Sequence, residues 1–205
     1  FAEIISGDVP KYYMTAPIHP PQTEQEWKKW FYDMEQNIPF HTNMLFGLNG
    51  NHINIKYIFD KYQLFTNHKI NWYYSGIRFN KNAFSENFMD ITKPIYGCQT
   101  VSLYALMMAI YMGFKEIYLL GMDHNYLLYD READMRMYDN AIHQHDELKR
   151  TFGDDFYTEE FLRQYDIFIK YKSFSKINKD FLVFNTSSIS LLRVFPKIKL
   201  KEVLK

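Results

Sequence analysis

The sequence is short of cysteine, of long apolar runs and of net charge, and each shortage excludes a class of protein. Its one cysteine, Cys98, can form neither an intramolecular disulfide nor a cysteine-rich zinc site, and it fits a reducing compartment. No run of about 18 apolar residues occurs, so we expect no transmembrane helix. Lys and Arg total 24, as do Asp and Glu, whereas nucleic-acid binders carry a basic excess. We therefore expect a cytoplasmic chain without a nucleic-acid partner.

Several common active-site motifs are also missing. The chain contains no G-x-G-x-x-G, G-x-x-x-x-G-K-[ST], G-x-S-x-G or H-E-x-x-H sequence, which removes P-loop kinases, common serine hydrolases and zincins as simple assignments. The D-x-D element of metal-dependent sugar transferases is absent too. A function therefore has to be sought from the positions of polar residues at the ends of secondary-structure elements.

The residues that are present predict a layered α/β domain. Of the 205 residues, 47% are apolar, enough for a sizeable core, and helix-like and strand-like patterns alternate along the chain. The predicted strands are 11–14, 43–48, 71–75, 116–120 and 181–184. One predicted helix begins at a Thr23/Glu26 capping box, and three others span 53–62, 100–112 and 158–176. A short peripheral helix is predicted within 194–204. We expect loops at 15–21 and 76–94.

Helical spacing predicts which side chains of two helices enter the core. After the capping box, the spacing i, i+3, i+4, i+7 groups one set of residues on an apolar face: Trp27, Trp30, Phe31 and Met34. In the helix 158–176 the inward face is predicted to hold Phe161, Leu162, Tyr165, Phe168 and Ile169. The helix 100–112 followed at once by the strand 116–120 is typical of half a βαβ unit, which predicts a mostly parallel sheet with helices on both faces.

In such sheets ligands bind beyond the carboxyl ends of the strands. Here those ends are Thr15 to His19, residues 121–126 and residues 185–188. Asp123 follows a predicted buried strand, where its carboxylate could hold a ribose hydroxyl, a sugar hydroxyl or a metal. The alternative is that Asp123 caps a turn and that His124 is an ordinary surface residue.

Three other groups have both a functional and a structural interpretation. Gln99 and Thr100 stand at a helix N-terminus, which attracts phosphate but equally needs a simple cap. The sequence Asn185-Thr-Ser-Ser188 could bind a nucleotide or only satisfy its own backbone. His143 and His145 form an H-x-H pair with no third ligand at a suitable spacing. One of them could be a general base, or both could lie on an exposed polar helix.

One segment resembles a known family. Tyr96-Gly-Cys-Gln-Thr-Val-Ser-Leu-Tyr-Ala-Leu-Met-Met-Ala-Ile-Tyr-Met-Gly-Phe-Lys-Glu-Ile-Tyr-Leu-Leu-Gly-Met-Asp-His-Asn-Tyr126 resembles the bacterial branch of the 6-hydroxymethylpterin diphosphokinase MptE-like domain family. That branch includes motility accessory factors implicated in flagellin glycosylation. The Gly113 to Asp123 run is similar to one in bacterial lipooligosaccharide sialyltransferases. Weaker likenesses are Pro10-Lys-Tyr-Tyr-Met-Thr-Ala-Pro17 and Phe184-Asn-Thr-Ser-Ser with its downstream residues.

The resemblance implies a Rossmann-like fold that binds a nucleotide or nucleotide sugar. It implies that Gln99 and Thr100, next to Gly97, contact the nucleotide, and that His143 or His145 is the general base. Two departures separate the chain from these relatives. The sialyltransferase Asn after a Thr-Pro is replaced by the run Thr15-Ala-Pro-Ile-His19, and the pterin diphosphokinase Gly-Asp-Arg element is missing. The first strand and Gly-rich loop of both relatives would precede Phe1.

We therefore expect one Rossmann-like α/β domain over residues 1–205 and a glycosyltransferase. Its donor would be a nucleotide-activated sugar such as a CMP-nonulosonic acid, its acceptor a glycan or protein, and no cofactor would be required. The expected catalytic residues are His143, His145 and Asp123. The expected nucleotide-binding residues are Gly97, Gln99, Thr100, Asn185, Thr186 and Ser187. The expected substrate-binding residues are Thr15, His19, His124, Asn125 and Tyr126, and no metal ligand is assigned.

Two alternatives remain open from the sequence. The first is an MptE-like diphosphokinase that transfers diphosphate from ATP to a pterin-like alcohol and needs Mg²⁺. The second is a non-catalytic nucleotide-binding module. Peripheral membrane contact and homo-oligomer formation are also open.

Overall fold

The computed structural model of this chain describes residues 9–78, 90–128, 156–177 and 180–204. These residues form two compact units. The N-terminal unit holds residues 9–78 and 90–105, and the C-terminal unit holds residues 106–128, 156–177 and 180–204. That the chain is a single domain stays a prediction.

The N-terminal unit is built on a four-stranded sheet. Its strands are β1 (Tyr12–Thr15), β2 (Asn43–Leu48), β3 (Ile70–Ile77) and β4 (Ile95–Tyr96), and its helices are α1 (Glu24–Asn37), α2 (Ile55–Tyr62) and the start of α3 (Val101–Tyr111). The strands lie side by side in chain order and every pairing between them is parallel. Because parallel neighbours need a crossover, α1 and α2 connect the first three strands. The four carboxyl ends therefore share one edge of the sheet.

Helix α1 begins at the predicted capping box. The Thr23 hydroxyl accepts a hydrogen bond from the Glu26 N–H at 3.3 Å, and the Glu26 carboxylate accepts one from the Thr23 N–H at 2.7 Å. Phe31 and Met34 are fully buried, as their spacing predicts. They belong to a core between the sheet and helices α1 and α2 that contains Ile18, Phe31, Met34, Ile38, Met44, Phe46, Ile55, Ile58, Phe59, Leu64 and Phe65.

The other face of this sheet contacts the first turns of α3. The rings of Tyr73 and Tyr104 have centroids 5.2 Å apart, and the Ser75 and Tyr104 hydroxyls are 2.7 Å apart. Gly47 allows close packing here, since an added Cβ would lie 2.6 Å from the Tyr73 hydroxyl oxygen and 2.5 Å from Pro17 Cδ. Helices thus lie on both faces of a parallel sheet, which confirms the predicted Rossmann-like α/β class.

The C-terminal unit contains a second parallel pairing. Its elements are the end of α3, β5 (Glu116–Leu119), a 3₁₀ turn (Tyr126–Leu128), α4 (Phe156–Phe174), β6 (Leu182–Asn185) and α5 (Leu200–Val203). Strand β5 pairs with β6 in parallel along its whole length. Gly113 follows α3 with a φ of 81°, the left-handed conformation that glycine supplies at a helix end.

The predicted inward face of α4 is wrong for three of its five residues, while Phe168 and Ile169 are half-buried. Phe161, Leu162 and Tyr165 are 54%, 52% and 60% exposed, whereas Glu160 and Gln164 are buried. The prediction assumed that the more apolar arc faces the core. In the structure the core side also accepts polar side chains, because they hydrogen-bond with one another there.

Other differences from the sequence prediction are small. Strand β3 runs to Ile77, inside the predicted loop 76–94, and the two-residue strand β4 was not predicted. Within 194–204 only Leu200–Val203 is helical, because the backbone at residues 196–198 pairs with Asn185 instead. Among the described residues, no helix is long and apolar enough to span a bilayer.

Candidate functional site

The carboxyl edge of the N-terminal sheet brings the loops after β1 and β2 together. Asn49 donates a hydrogen bond from Nδ2 to the Ile18 carbonyl at 2.8 Å. The Tyr73 hydroxyl donates to the Thr15 carbonyl at 2.8 Å. Thr15 itself is buried, and its Oγ1 has no hydrogen-bond partner among the described residues. The other predicted substrate residue of this loop, His19, is exposed, with Nδ1 2.6 Å from the Pro20 carbonyl oxygen.

The turn between β4 and α3 is held by one tyrosine hydroxyl. The Tyr104 hydroxyl accepts from the Cys98 N–H at 2.7 Å and donates to the Cys98 carbonyl at 3.2 Å. Burial raises the pKa of Tyr104 to about 12, so the group stays a neutral donor at physiological pH. The Gly97 N–H donates to the Ile77 carbonyl at 2.9 Å. Four hydrogen bonds, with that to Ser75, thus fix this turn and Tyr104 against the end of β3.

The predicted nucleotide-binding residues of this turn lie at the start of α3. Gln99 is exposed, and Thr100 is half-buried with its Oγ1 2.8 Å from Ser102 Oγ. The first N–H groups of a helix have no acceptor within the helix and carry the positive end of its dipole. An anion placed against Gly97, Gln99 and Thr100 would therefore meet hydrogen-bond donors on a braced turn.

In the C-terminal unit the loops after β5 and β6 are joined by hydrogen bonds. The Thr186 N–H and hydroxyl both donate to the Leu119 carbonyl, at 2.9 and 2.8 Å. The Leu191 N–H donates to the Asp123 carbonyl at 2.8 Å. Asp123, expected to act in catalysis, is half-buried in this loop. The parallel pairing thus brings the predicted residues 123–126 and 185–187 to one sheet edge.

Asn185 has its side-chain amide engaged within its own loop. Its Nδ2 donates to Ser190 Oγ at 2.9 Å and to the Leu192 carbonyl at 3.0 Å, and its Oδ1 accepts from the Ser187 N–H at 2.9 Å. This matches the structural interpretation of the sequence, in which these side chains satisfy the backbone. Ser187 Oγ is buried without a hydrogen-bond partner in the described chain. Nucleotide binding by Asn185, Thr186 and Ser187 stays a prediction.

His124 lies in the interior of the C-terminal unit. It is 7% exposed, with Nε2 3.2 Å from the Tyr171 hydroxyl oxygen. Burial lowers the pKa of His124 to about 4; the Asp123 charge and the Gln164 side chain oppose that shift and Arg163 adds to it. The imidazole is therefore neutral at physiological pH. Its φ is 46°, an uncommon conformation for a residue with a Cβ.

The remaining predicted residues are placed in different ways. Asn125 is half-buried, and its carbonyl accepts from the Leu128 N–H at 2.9 Å. Tyr126 is 40% exposed at the start of the 3₁₀ turn. His143 and His145 lie outside the described residues, so their role as base stays a prediction. Within the described ranges, no group of three His, Cys, Asp or Glu side chains could hold a metal ion.

Sequence reasoning missed the two tyrosines that organise these loops. Tyr104 braces the turn before α3, and Tyr171 contacts both His124 and, at 3.6 Å, the Met122 sulfur. Each lies within a predicted helix, where nothing in the local sequence separates it from core-filling aromatic residues. Their contacts with Ser75 and His124 also join residues that are distant along the chain, so no local pattern reports them.

No family model, curated protein or solved structure significantly matches this chain. The features that bear on function are therefore the motif resemblance and the polar residues at the two sheet edges.

Proposed function

We propose that this chain is a transferase that moves a sugar from a nucleotide-activated donor, such as a CMP-nonulosonic acid, to a glycan or protein acceptor. The observation that carries the proposal is the braced turn at the carboxyl edge of a parallel sheet. Rossmann-like sheets bind nucleotides at that edge, and a helix begins there. The motif resemblance assigns the nucleotide to the same residues, Gly97, Gln99 and Thr100.

The proposed reaction is a displacement at the anomeric carbon with oxocarbenium-like character. An acceptor oxygen forms the new bond while the bond to the nucleotide phosphate breaks. Helix N–H groups and the Thr100 hydroxyl would stabilise the charge on the departing phosphate. The predicted base, His143 or His145, would take the proton from the acceptor hydroxyl.

Nucleotide-dependent stabilisation tests this proposal. A panel of CMP, UDP, GDP and ATP would be added to the chain, with and without Mg²⁺, and thermal and urea unfolding would be followed. At 100 times its Kd, CMP should add about 2.7 kcal/mol to the free energy of unfolding without Mg²⁺. Thr100→Ala should remove this gain, because it deletes a hydroxyl at the phosphate position.

The matched control is Thr66→Ala, which makes the same substitution at an exposed turn before β3. It should leave the CMP effect unchanged. Stabilisation by ATP only, and only with Mg²⁺, would reject the glycosyltransferase in favour of the diphosphokinase. Absence of any nucleotide effect would reject both.

Tight CMP binding without sugar transfer to any acceptor would point instead to the non-catalytic module. Release of CMP from a CMP-sugar, measured with and without an acceptor, separates that case from the transferase. Cytoplasmic location and the identity of the acceptor stay predictions.

A further inference from the structure

Helix α4 presents an apolar surface away from its unit. We use the name α4 face for Tyr157, Phe161, Leu162 and Tyr165, which are 50%, 54%, 52% and 60% exposed. Their spacing places them on one side of the helix. The outward arc between Tyr157 and Ile169 contains no charged residue. This is the reverse of an ordinary surface helix, whose outward side is polar.

The inward side of the same helix carries polar and charged side chains, and these side chains contact one another. Glu160 and Gln164 are buried and hydrogen-bonded to each other, and Glu160 also contacts Arg163 at 3.4 Å. Lys170 is 3% exposed and lies 2.6 Å from Asp166. Because each buried charge is paired within α4 itself, the helix can turn this side inward without burying an unpaired charge.

The exposed apolar area matches that of a protein–protein interface. The α4 face adjoins Leu128, which is 64% exposed, through a 3.2 Å hydrogen bond from the Tyr157 hydroxyl to the Leu127 carbonyl. Five large side chains, each about half exposed, offer on the order of 500 Å². A standard interface buries about 800 Å² per partner, a little over half of it apolar. The α4 face can thus supply the apolar part of one such interface.

We propose that the α4 face is the interface of a homodimer, in which α4 packs antiparallel against α4 of a second copy. A two-fold axis at the level of Arg163 places Phe161 opposite Tyr165 and Tyr157 opposite Ile169. A two-fold interface must be complementary to itself, and an uncharged arc of large apolar residues with the exposed Thr158 meets that condition. Arg163 and Asp166, half-buried beside the arc, form the polar rim.

A lipid surface fits the same residues less well. Helices that lie in a membrane interface carry Lys and Arg around their apolar side. On the outward arc of α4 the charged residue is Lys172. The opposite side, which would face water in a membrane-bound helix, is packed inside its unit. The observations therefore favour a second copy over a membrane.

Sedimentation equilibrium and light scattering of the full chain test the dimer. At about 50 µM the measured mass should be twice the 24.8 kDa of one chain. Phe161→Glu puts a carboxylate at the centre of the interface and should raise the dimer dissociation constant about 30-fold or more, as loss of a central interface residue does. Phe40→Glu is the matched control, since Phe40 is 70% exposed in the N-terminal unit, and it should remain dimeric.

Each other outcome overturns the proposal. A wild-type chain that is monomeric at this concentration would do so, and so would a Phe161→Glu variant that stays dimeric. If Phe161→Glu lowers the melting temperature of a monomeric chain well below that of Phe40→Glu, the α4 face is covered within its own chain. Binding of the monomeric chain to vesicles of anionic phospholipid, lost in Phe161→Glu, would assign the face to a membrane.

Discussion

At the scale of single residues, burial decides the chemistry of the polar groups in both units. The sequence predicted a site role for His124, in the loop after β5, and none for Tyr104, in α3. Burial disfavours the charged form of each: it raises the pKa of Tyr104 to about 12 and lowers that of His124 to about 4. Their role in the structure is to hold loops, through Cys98 for the first and Tyr171 for the second.

The neutral His124 predicts a pH dependence of stability. Its pKa is about 4 in the folded chain against 6.5 as the ordinary value, so between these pH values the unfolded chain binds the extra proton. Its contribution to stability is complete above pH 6.5. It falls by up to about 3 kcal/mol as the pH drops to 4.

Urea unfolding at pH 4 to 7 measures this slope in variants. His124→Asn should lose part of it, because asparagine does not titrate and tolerates a positive φ. His52→Asn, at an exposed position in the turn after β2, should keep the wild-type slope. Identical slopes in His124→Asn and the wild type would show that His124 is not buried as described.

At the scale of elements, local patterns were sufficient wherever one arc of a helix is apolar and the other polar. The capping box and apolar spacing of α1 correctly predicted where it starts and which side is buried. The prediction of the buried side of α4 was wrong because both arcs of this helix carry large apolar residues. Periodicity then shows that the segment is helical, but it does not show which arc of the helix meets the core. Strand β4 was not predicted because two residues are too few to show an alternating pattern.

The packing of β2 against its neighbours gives an element-scale prediction. Gly47→Ala should lower the free energy of unfolding by about 1–3 kcal/mol, the usual cost of overpacking. The added Cβ would lie 2.5 Å from Pro17 Cδ and 2.6 Å from the Tyr73 hydroxyl oxygen. Guanidinium unfolding measures the difference.

Gly50→Ala is the control for this change. Gly50 is exposed three residues further on, and its added Cβ would come no closer than 3.4 Å, to the Tyr74 hydroxyl oxygen. We expect less than about 0.5 kcal/mol of change. Equal losses in the two variants would contradict the close approach of Pro17 and Tyr73 to β2.

At the scale of the whole molecule, composition constrains partners more than it constrains the fold. With 24 basic and 24 acidic residues, the chain has no net charge to attract a polyanion at long range. A phosphate group at the start of α3 would instead be held by short-range hydrogen bonds from one turn. Short-range hydrogen bonds of this kind would favour a small nucleotide ligand over a nucleic acid.

We accordingly expect no binding of DNA or RNA. Fluorescence anisotropy of a labelled oligonucleotide in low salt should stay flat up to about 100 µM protein, the weak limit of non-specific binding. CMP binding should persist in physiological salt. An anisotropy signal that falls steeply as salt rises would contradict this expectation and reveal a basic surface hidden by the zero net charge.

The sequence by itself determined the α/β class, most element positions, the cap of α1 and the buried side of α1, because these depend on spacing between near neighbours. Only the tertiary structure decided which side of α4 is buried, that His124 is an interior residue, and that Asn185 bonds to its own loop. It also decided that Tyr104 braces the turn before α3. The sequence left both interpretations of Asn185 open, and its bonds reach only residues two to seven positions away. The place of His124 and the contact of Tyr104 with Ser75 instead depend on residues that are distant along the chain. No local pattern carries that information.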